Sequence, residues 1–317
     1  MVISGCLKIK HMSKKYEFVK EEFKEEVKEL DTKLDRIKAA KVDLTAEYKM
    51  PTFIIKLKAG NIWTNIGTLG NFICITGAAK ARKSFARFFF EAAALKNGLL
   101  YGKFYVNLPE NKKRIVYVDT EQGKSNVNFA AKRICKMANV GNNPNNYDVY
   151  SLRQFTHIER CEIIEDIIKQ NNDIGIMFID GVADLASCNN DEIEGNRVTQ
   201  LLMTWTAKYN INIITVIHQP RSHNGATGHL GSQVEKKAES IISVKKDGSY
   251  SIIESQMLRN SDDFAPFPFI INSEYMPELI NEETEEVEDI KENYNVNAGI
   301  EPEQKSFLDF DEEEAPF

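Results

Sequence analysis

The sequence lacks any apolar run long enough to cross a membrane. A transmembrane helix needs about 20 consecutive apolar residues, and the most apolar stretch, residues 84–95, is interrupted by Arg87 and Glu91. No apolar segment of the kind found in secretory signals occurs near the N-terminus. We therefore expect a cytoplasmic protein with no membrane partner.

The sequence also lacks the usual cysteine patterns of metal and redox sites. Its five cysteines are widely spaced, and no Cys-x-x-Cys pair occurs among them. Three histidines, His218, His223 and His229, lie close together, but their spacing is unlike that of common zinc sites and they have no acidic or thiol partner nearby. We therefore predict no metal site built from these histidines.

A strong net basic charge is missing as well, because acidic residues are concentrated at one end of the chain. The formal net charge is −7. Residues 276–317 carry 15 acidic and 2 basic residues, which leaves 32 of the 47 acidic and 38 of the 40 basic residues in residues 1–275. A mildly basic body permits nucleic-acid binding, and we expect such binding to be salt-sensitive.

Apolar patterning divides the chain into four predicted parts. Residues 1–50 form an N-terminal extension with an amphipathic helix, in which apolar residues step by four and three from Phe23 to Ile37. That helix packs either on its own domain or on a neighbouring subunit. Residues 51–276 form the main domain, residues 277–304 an acidic disordered linker, and residues 305–317 a partner-binding tip.

The main domain alternates short apolar runs with helical patterns. The clearest predicted strands are residues 71–76, 114–118, 174–179 and 211–217. Strands that are apolar throughout are typical of a parallel sheet covered by helices, so we predict an α/β fold with a mostly parallel central sheet. Residues 240–244 and 249–254 predict a hairpin around Asp247-Gly248.

The segment after the first of these strands is typical of a phosphate-binding P-loop. Its residues are Gly77, Ala78, Ala79, Lys80, Ala81, Arg82, Lys83, Ser84 and Phe85. In a P-loop, backbone N–H groups surround the phosphates, the lysine adds a positive charge, and the following hydroxyl ligates Mg²⁺. Arg82 stands where the P-loop pattern has its second glycine. We predict that Lys83 and Ser84 bind ATP and Mg²⁺.

Three further strand ends follow in the order found in RecA-type ATPases. They carry Glu121, Asp180 and the pair His218-Gln219. The resemblance implies that Glu121 polarises the attacking water, that Asp180 holds Mg²⁺ through water, and that Gln219 senses the γ-phosphate. It covers residues 53–275 and is strongest with the RepA-type branch of hexameric plasmid and phage helicases; DnaB-type helicases are more distant.

This resemblance also implies assembly and DNA contacts. We expect a ring or filament, with six subunits as in that branch, in which Arg259 reaches the γ-phosphate of the next subunit. In such motors, DNA contacts come from two loops, which correspond here to residues 184–197 and 220–233. The second is glycine-rich and without aromatic residues, and we expect contacts to single-stranded DNA from it and from the residues that follow. The candidates are Arg221, His223, His229, Lys236 and Lys237.

The last eleven residues resemble the C-terminal tip of bacterial single-stranded-DNA-binding proteins. An acidic run containing Phe310 ends in Pro316-Phe317. The resemblance implies docking into a basic pocket of a replication or repair protein. Two other interpretations stay open: a general solubility tail, and a segment that occupies this protein's own DNA path.

Together these features predict an ATP-dependent motor that acts on single-stranded DNA, a RepA-type helicase of plasmid or phage replication. Two alternatives stay open. One is a RecA-like mediator of recombination or annealing that does not unwind DNA. The other is a nucleotide-gated partner-binding protein with weak ATPase activity.

Overall fold

The chain divides into two compact units, residues 1–50 and 51–317. The computed structural model describes residues 33–219 and 228–280. In the first unit, residues 33–40 form helix α1, on which Leu34 and Ile37 are exposed. The other apolar positions of the predicted amphipathic helix lie outside the described residues.

The second unit alternates strands and helices. Its strands are β1 (Phe53–Ala59), β2 (Ile62–Thr68), β3 (Phe72–Ala78), β4 (Leu99–Leu100), β5 (Phe104–Val106), β6 (Arg114–Asp119), β7 (Tyr147–Ser151), β8 (Ile174–Asp180), β9 (Asn212–Gln219), β10 (Ser240–Asp247), β11 (Tyr250–Leu258), β12 (Phe267–Ile271) and β13 (Pro277–Leu279). Its helices are α2 (Lys83–Lys96), α3 (Lys124–Ala138), α4 (His157–Gln170), α5 (Glu192–Tyr209) and α6 (Gly228–Lys237). None of the described helices is both long and apolar enough to span a bilayer.

Nine strands form the central sheet, in the order β13-β12-β11-β10-β3-β9-β8-β6-β7. The six from β10 to β7 are parallel, and β11, β12 and β13 continue the sheet in antiparallel pairs. One apolar cluster contains residues of α2 and α3, and a second contains residues of α4, α5 and α6. The predicted α/β class with a mostly parallel sheet is confirmed. In this order β9 lies between β3, which leads into the predicted P-loop, and β8, which ends at Asp180.

A second, antiparallel sheet has the order β2-β1-β5-β4. Its inner face packs on α2, where the rings of Phe89 and Phe104 stack with centroids 4.9 Å apart. Leu57 and Ile66 are fully buried in the same cluster. This small sheet therefore covers the C-terminal half of the P-loop helix.

The domain boundary predicted at residue 276 falls one strand too early. Tyr275 has a left-handed φ of 56°, and the turn is closed by a hydrogen bond from Asn272 N–H to the Met276 carbonyl at 2.9 Å. The chain thereby reverses, and β13 pairs with β12. The rest of the predicted linker, from residue 281 onward, lies outside the described residues.

Candidate active site

The loop between β3 and α2 is the predicted phosphate cradle. A side chain at Gly77 would place its Cβ 2.3 Å from the Val244 carbonyl oxygen, so only glycine fits there. Lys80 and Arg82 have φ angles of 65° and 72°. Arg82, the residue before α2, provides no side-chain cap to the helix. The first N–H groups of α2 therefore have no side-chain acceptor and can serve an anion, as helix N-termini do.

Arg82 takes the conformation that the missing glycine would take. At φ 72° and ψ 31° it is left-handed, a state that costs an L-residue about 1–2 kcal/mol. Its guanidinium Nη1 donates to the Ser249 carbonyl at 2.6 Å, in the turn between β10 and β11. Arg82 thus holds a backbone conformation that glycine adopts readily, and its side chain ties the loop to the hairpin of β10 and β11.

Lys83 is buried beneath this loop, with 5% of its surface exposed. Its Nζ donates to the carbonyls of Gly77 and Ala78 at 2.9 and 3.0 Å, and it lies 2.8 Å from His218 Nδ1. Burial lowers the pKa of Lys83 to about 8, although the charges of Asp180 and Glu121 oppose that shift. The ammonium is thus held at the phosphate cradle by three acceptors.

His218 connects Lys83 with Glu121. When the Lys83 ammonium donates to Nδ1, the other imidazole nitrogen carries the hydrogen, and that Nε2 lies 3.9 Å from Glu121 Oε1. Contact with His218 lowers the pKa of Glu121, and burial opposes the shift. The sequence pattern does not predict this link: there His218 is the neighbour of Gln219 and one of three histidines whose spacing does not fit a zinc site. Strand alternation could have indicated separate roles for His218 and Gln219, because consecutive residues of a strand face opposite sides of the sheet.

Gln219 follows on β9 and pairs in register with Ala78 of the P-loop strand. Its Nε2 donates to Gln256 Oε1 at 3.0 Å, and Gln256 Nε2 contacts Glu235 of α6 at 3.4 Å. Gln219 is therefore connected through one side chain to the helix that follows the predicted DNA loop.

Asp180 ends β8 beside Asp119 of β6, with which it is in register. Asp119 Oδ1 accepts the backbone N–H groups of Glu121 and Gln122 at 3.0 and 2.7 Å. Burial raises the pKa of Asp119, and its hydrogen bonds oppose that shift. Asp119 therefore fixes the turn that presents Glu121.

A buried chain of polar side chains lies behind Asp180. Arg87 Nε contacts Asp180 Oδ2 at 3.3 Å, and Arg87 Nη1 also pairs with Glu91, one turn further along α2. Tyr147 donates to Glu91 Oε1 at 2.5 Å, and the Arg87 guanidinium lies 3.9 Å from the centre of the Tyr117 ring. Burial raises the pKa of Glu91 to about 7, against the charge of Arg87. The sequence patterns did not predict these contacts. Arg87 and Glu91 are opposite charges four residues apart in the most apolar segment, and that spacing on a helix predicts an ion pair.

The donor set at this site fits Mg²⁺. Ser84 is exposed in the first turn of α2, and Asp180 supplies a carboxylate; such oxygen ligands are those that Mg²⁺ prefers. The described residues contain no group of three or more His, Cys, Asp or Glu that could hold a metal. A site with one carboxylate and one hydroxyl is typical of Mg²⁺ that is bound together with substrate phosphates.

Arg259 lies at the opposite end of the sheet from this chain's own P-loop. Its N–H bonds to the Glu239 carbonyl, and the Glu239 N–H bonds to the carbonyl of Phe72, where β3 begins. Gly77 is five residues further along β3, about 16 Å at 3.3 Å per residue. The guanidinium contacts the Lys236 carbonyl. The structure therefore does not bring Arg259 to the phosphate site of the same subunit.

The other predicted DNA contacts are placed only in part. His229 is exposed in the first turn of α6, and Lys236 and Lys237 are exposed at its end. The remaining predicted residues lie outside the described part of the chain: Arg221, His223, Phe310, Pro316 and Phe317.

Part of each predicted DNA loop is helical. Helix α5 begins at Glu192 because Asp191 caps it, accepting from Glu194 N–H at 3.0 Å. Arg197 is then used internally, contacting Glu194 at 2.9 Å. Residues 228–233, predicted as loop, belong to α6. A Cβ at Gly228 would lie 2.5 Å from the Asn189 carbonyl. The start of α6 therefore packs closely on the segment before α5, and Gly228 is required by this packing.

No protein-family model matches the chain, and no curated protein matches it. Among solved structures, the chain is similar to one described as "Crystal structure of the RadB recombinase". The TM-score is 0.48 and the identity 15%, over 67% of this chain and 92% of that chain.

Proposed function

We propose that this protein is an ATPase that couples ATP hydrolysis to movement on single-stranded DNA, as a RepA-type helicase in plasmid or phage replication. The observation that carries the ATPase proposal is the convergence of Lys83, Glu121 and Asp180 at the carboxyl ends of three parallel strands. Ligands bind at this edge of open α/β sheets.

Each side chain has a definite part in the proposed reaction. Lys83 exchanges its carbonyl and imidazole acceptors for phosphate oxygens of ATP. Glu121, kept ionised by its lowered pKa, accepts a hydrogen bond from the attacking water and orients it. Ser84 and Asp180 hold Mg²⁺, which when bound neutralises charge that develops on the phosphates. Arg87 and Asp119 position the two carboxylates.

A ring or filament, with six subunits in the RepA-type form, follows from the same proposal. Charge on the transferred phosphoryl group needs a further cation, and Arg259 is about 16 Å along the sheet from its own P-loop, as estimated from the strand rise. We assign Arg259 to the site of the next subunit.

Single-stranded DNA is the proposed track. In this proposal the DNA phosphates are contacted by Lys236 and Lys237 of α6 and by the cations of the segment before α6. Such contacts do not depend on base sequence. The C-terminal tip with Phe310, Pro316 and Phe317 binds a replication or repair protein through a basic pocket.

The decisive test is ATP hydrolysis by the full chain with and without single-stranded DNA at moderate salt. We expect stimulation by DNA, no turnover in Lys83→Ala, and ATP binding without turnover in Glu121→Gln. Glu162→Gln, a change of the same kind at an exposed position on α4, is the matched control and should hydrolyse ATP normally.

Three results would contradict parts of the proposal. Normal turnover in Glu121→Gln would remove that residue as the water-activating group. ATP hydrolysis unaffected by DNA would favour the nucleotide-gated partner-binding protein. Annealing or strand exchange without opening of a forked duplex would favour the recombination mediator over the helicase.

A further inference from the structure

The outer face of the small antiparallel sheet combines lysines with exposed aromatic rings. Residues 53–68 and 98–106, which form its four strands and their hairpin turns, contain three lysines and no acidic residue. The inner face, which includes Phe104, is buried on α2, whereas Lys56, Lys58 and Tyr105 are half-buried and Trp63 is exposed.

Strand pairing places these side chains together. Lys58 is opposite Trp63 on β2, and Lys56 is opposite Tyr105 on β5; paired residues of an antiparallel sheet share one face. The Trp63 and Tyr105 rings lie edge to face with centroids 5.9 Å apart. Lys58 Nζ is 6.0 Å from the centre of the Trp63 ring. Trp63 remains 41% exposed, so much of the ring is open to a ligand.

A groove of about 610 Å³ continues from Lys58 along the edge of this face. Its lining includes Tyr101, Lys103 and the backbone of Gly60 and Gly102. Among the described residues that line the groove, Glu278 contributes a carboxylate. Lys103 also lies over the ring of Phe267, 4.4 Å from its centre. The groove therefore repeats the combination of lysine and aromatic side chains found on the face.

This combination matches the chemistry of a single-stranded nucleic acid. Unpaired bases stack on exposed aromatic rings, and lysines neutralise the phosphates between them. The predicted DNA segment of residues 220–233 contains no Phe, Tyr or Trp, so His223 and His229 are the aromatic side chains that it offers for stacking.

We propose that the outer face of this sheet, with Lys56, Lys58, Trp63 and Tyr105, is a stacking site for single-stranded DNA. β2 also lies beside the segment that carries Arg259, because Asn65 N–H bonds to Ser261 Oγ at 3.1 Å. The same segment reaches the end of α6, because Arg259 bonds to the Lys236 carbonyl. The inference rests on the proposed function in taking DNA as the ligand.

The test uses the full chain and a dye-labelled oligo(dT), with binding measured by anisotropy and by tryptophan fluorescence. The chain has two tryptophans, and Trp205 is 1% exposed, so quenching reports on Trp63. We expect quenching on binding and a Kd raised by about 5- to 150-fold in Trp63→Ala, the range for loss of one stacked base. Trp63→Phe should retain most of the affinity and lose the quenching.

Two further variants separate charge from stacking. Lys56→Gln with Lys58→Gln should reduce the slope of log K against log salt by about 1.4, or about 0.7 for each single-strand phosphate contact. Phe129→Ala, which removes an exposed aromatic ring on α3, is the matched control and should bind like the unmodified protein.

The outcomes distinguish this inference from the proposed function. Binding by Trp63→Ala with unchanged Kd, and no quenching in the unmodified protein, would overturn the stacking site and leave DNA binding intact. Failure of the unmodified protein to bind oligo(dT) would overturn both. Tighter binding of oligo(U), or equal binding of duplex DNA, would overturn the assignment of the face to single-stranded DNA.

Discussion

Arg82 allows a direct test of the P-loop backbone. We predict that Arg82→Gly is more stable than Arg82→Ala by about 1 kcal/mol. A left-handed conformation costs alanine about 1–2 kcal/mol more than glycine, and the greater freedom of glycine in the unfolded chain offsets about 0.4–1 kcal/mol. Both variants lose the hydrogen bond to the Ser249 carbonyl, so that contact cancels in the comparison.

Urea denaturation of the full chain measures this difference. Lys132, exposed in the interior of α3, is the matched control, because a helical residue has ordinary negative φ. There glycine should be less stable than alanine by about 1 kcal/mol. The two positions should therefore differ in the sign of the effect.

The same sign at both positions, with glycine the less stable, would refute the reasoning. It would mean that residue 82 does not hold a left-handed conformation in solution. The P-loop geometry derived for residues 77–84 would then be incorrect, and the departure from the glycine pattern would need another explanation.

Three further predictions concern the buried charges. Without nucleotide, Lys83 has a pKa of about 8, and its charged form binds phosphate, so ATP affinity should fall as the pH rises through about 8. Titration calorimetry measures this affinity, and Lys83→Met should show no such pH dependence. A flat profile in the unmodified protein would contradict the lowered pKa. The unfolded chain keeps this proton up to its ordinary value, so the Lys83 contribution to stability should rise between pH 8 and about 10.5. Glu91→Ala leaves Arg87 without its closest partner, so it should lower the free energy of unfolding, measured by urea denaturation, by about 3–5 kcal/mol. A loss below about 1 kcal/mol would show that the ion pair with Asp180 is sufficient for Arg87.

Local patterns were sufficient to predict the central elements. Four continuous apolar runs became β3, β6, β8 and β9, and the Asp247-Gly248 turn became the hairpin of β10 and β11. These predictions succeeded because strands buried on both faces must be apolar along their length. The P-loop was visible for a similar reason, since its backbone requires small residues and its chemistry requires Lys83.

Helix boundaries near the predicted DNA loops were harder to predict. Residues 228–233 look like a flexible loop because they contain glycine, histidine and serine, yet they begin α6. Gly195 and Gly228 serve close packing here: a Cβ on either would lie within 3 Å of backbone atoms of a neighbouring segment. A glycine required by packing and one required by a turn look alike in a sequence.

Sequence patterns alone were enough to locate the four central strands, the loop predicted to hold phosphates and the strand ends that carry carboxylates, because those properties depend on neighbours along the chain. Three relations became visible only in the folded structure. His218 lies between Lys83 and Glu121, and Arg87 and Glu91 are paired behind Asp180. Lysines and aromatic rings share one face of the second sheet. These relations join residues far apart in sequence, and they depend on strand order and register, which no local pattern specifies.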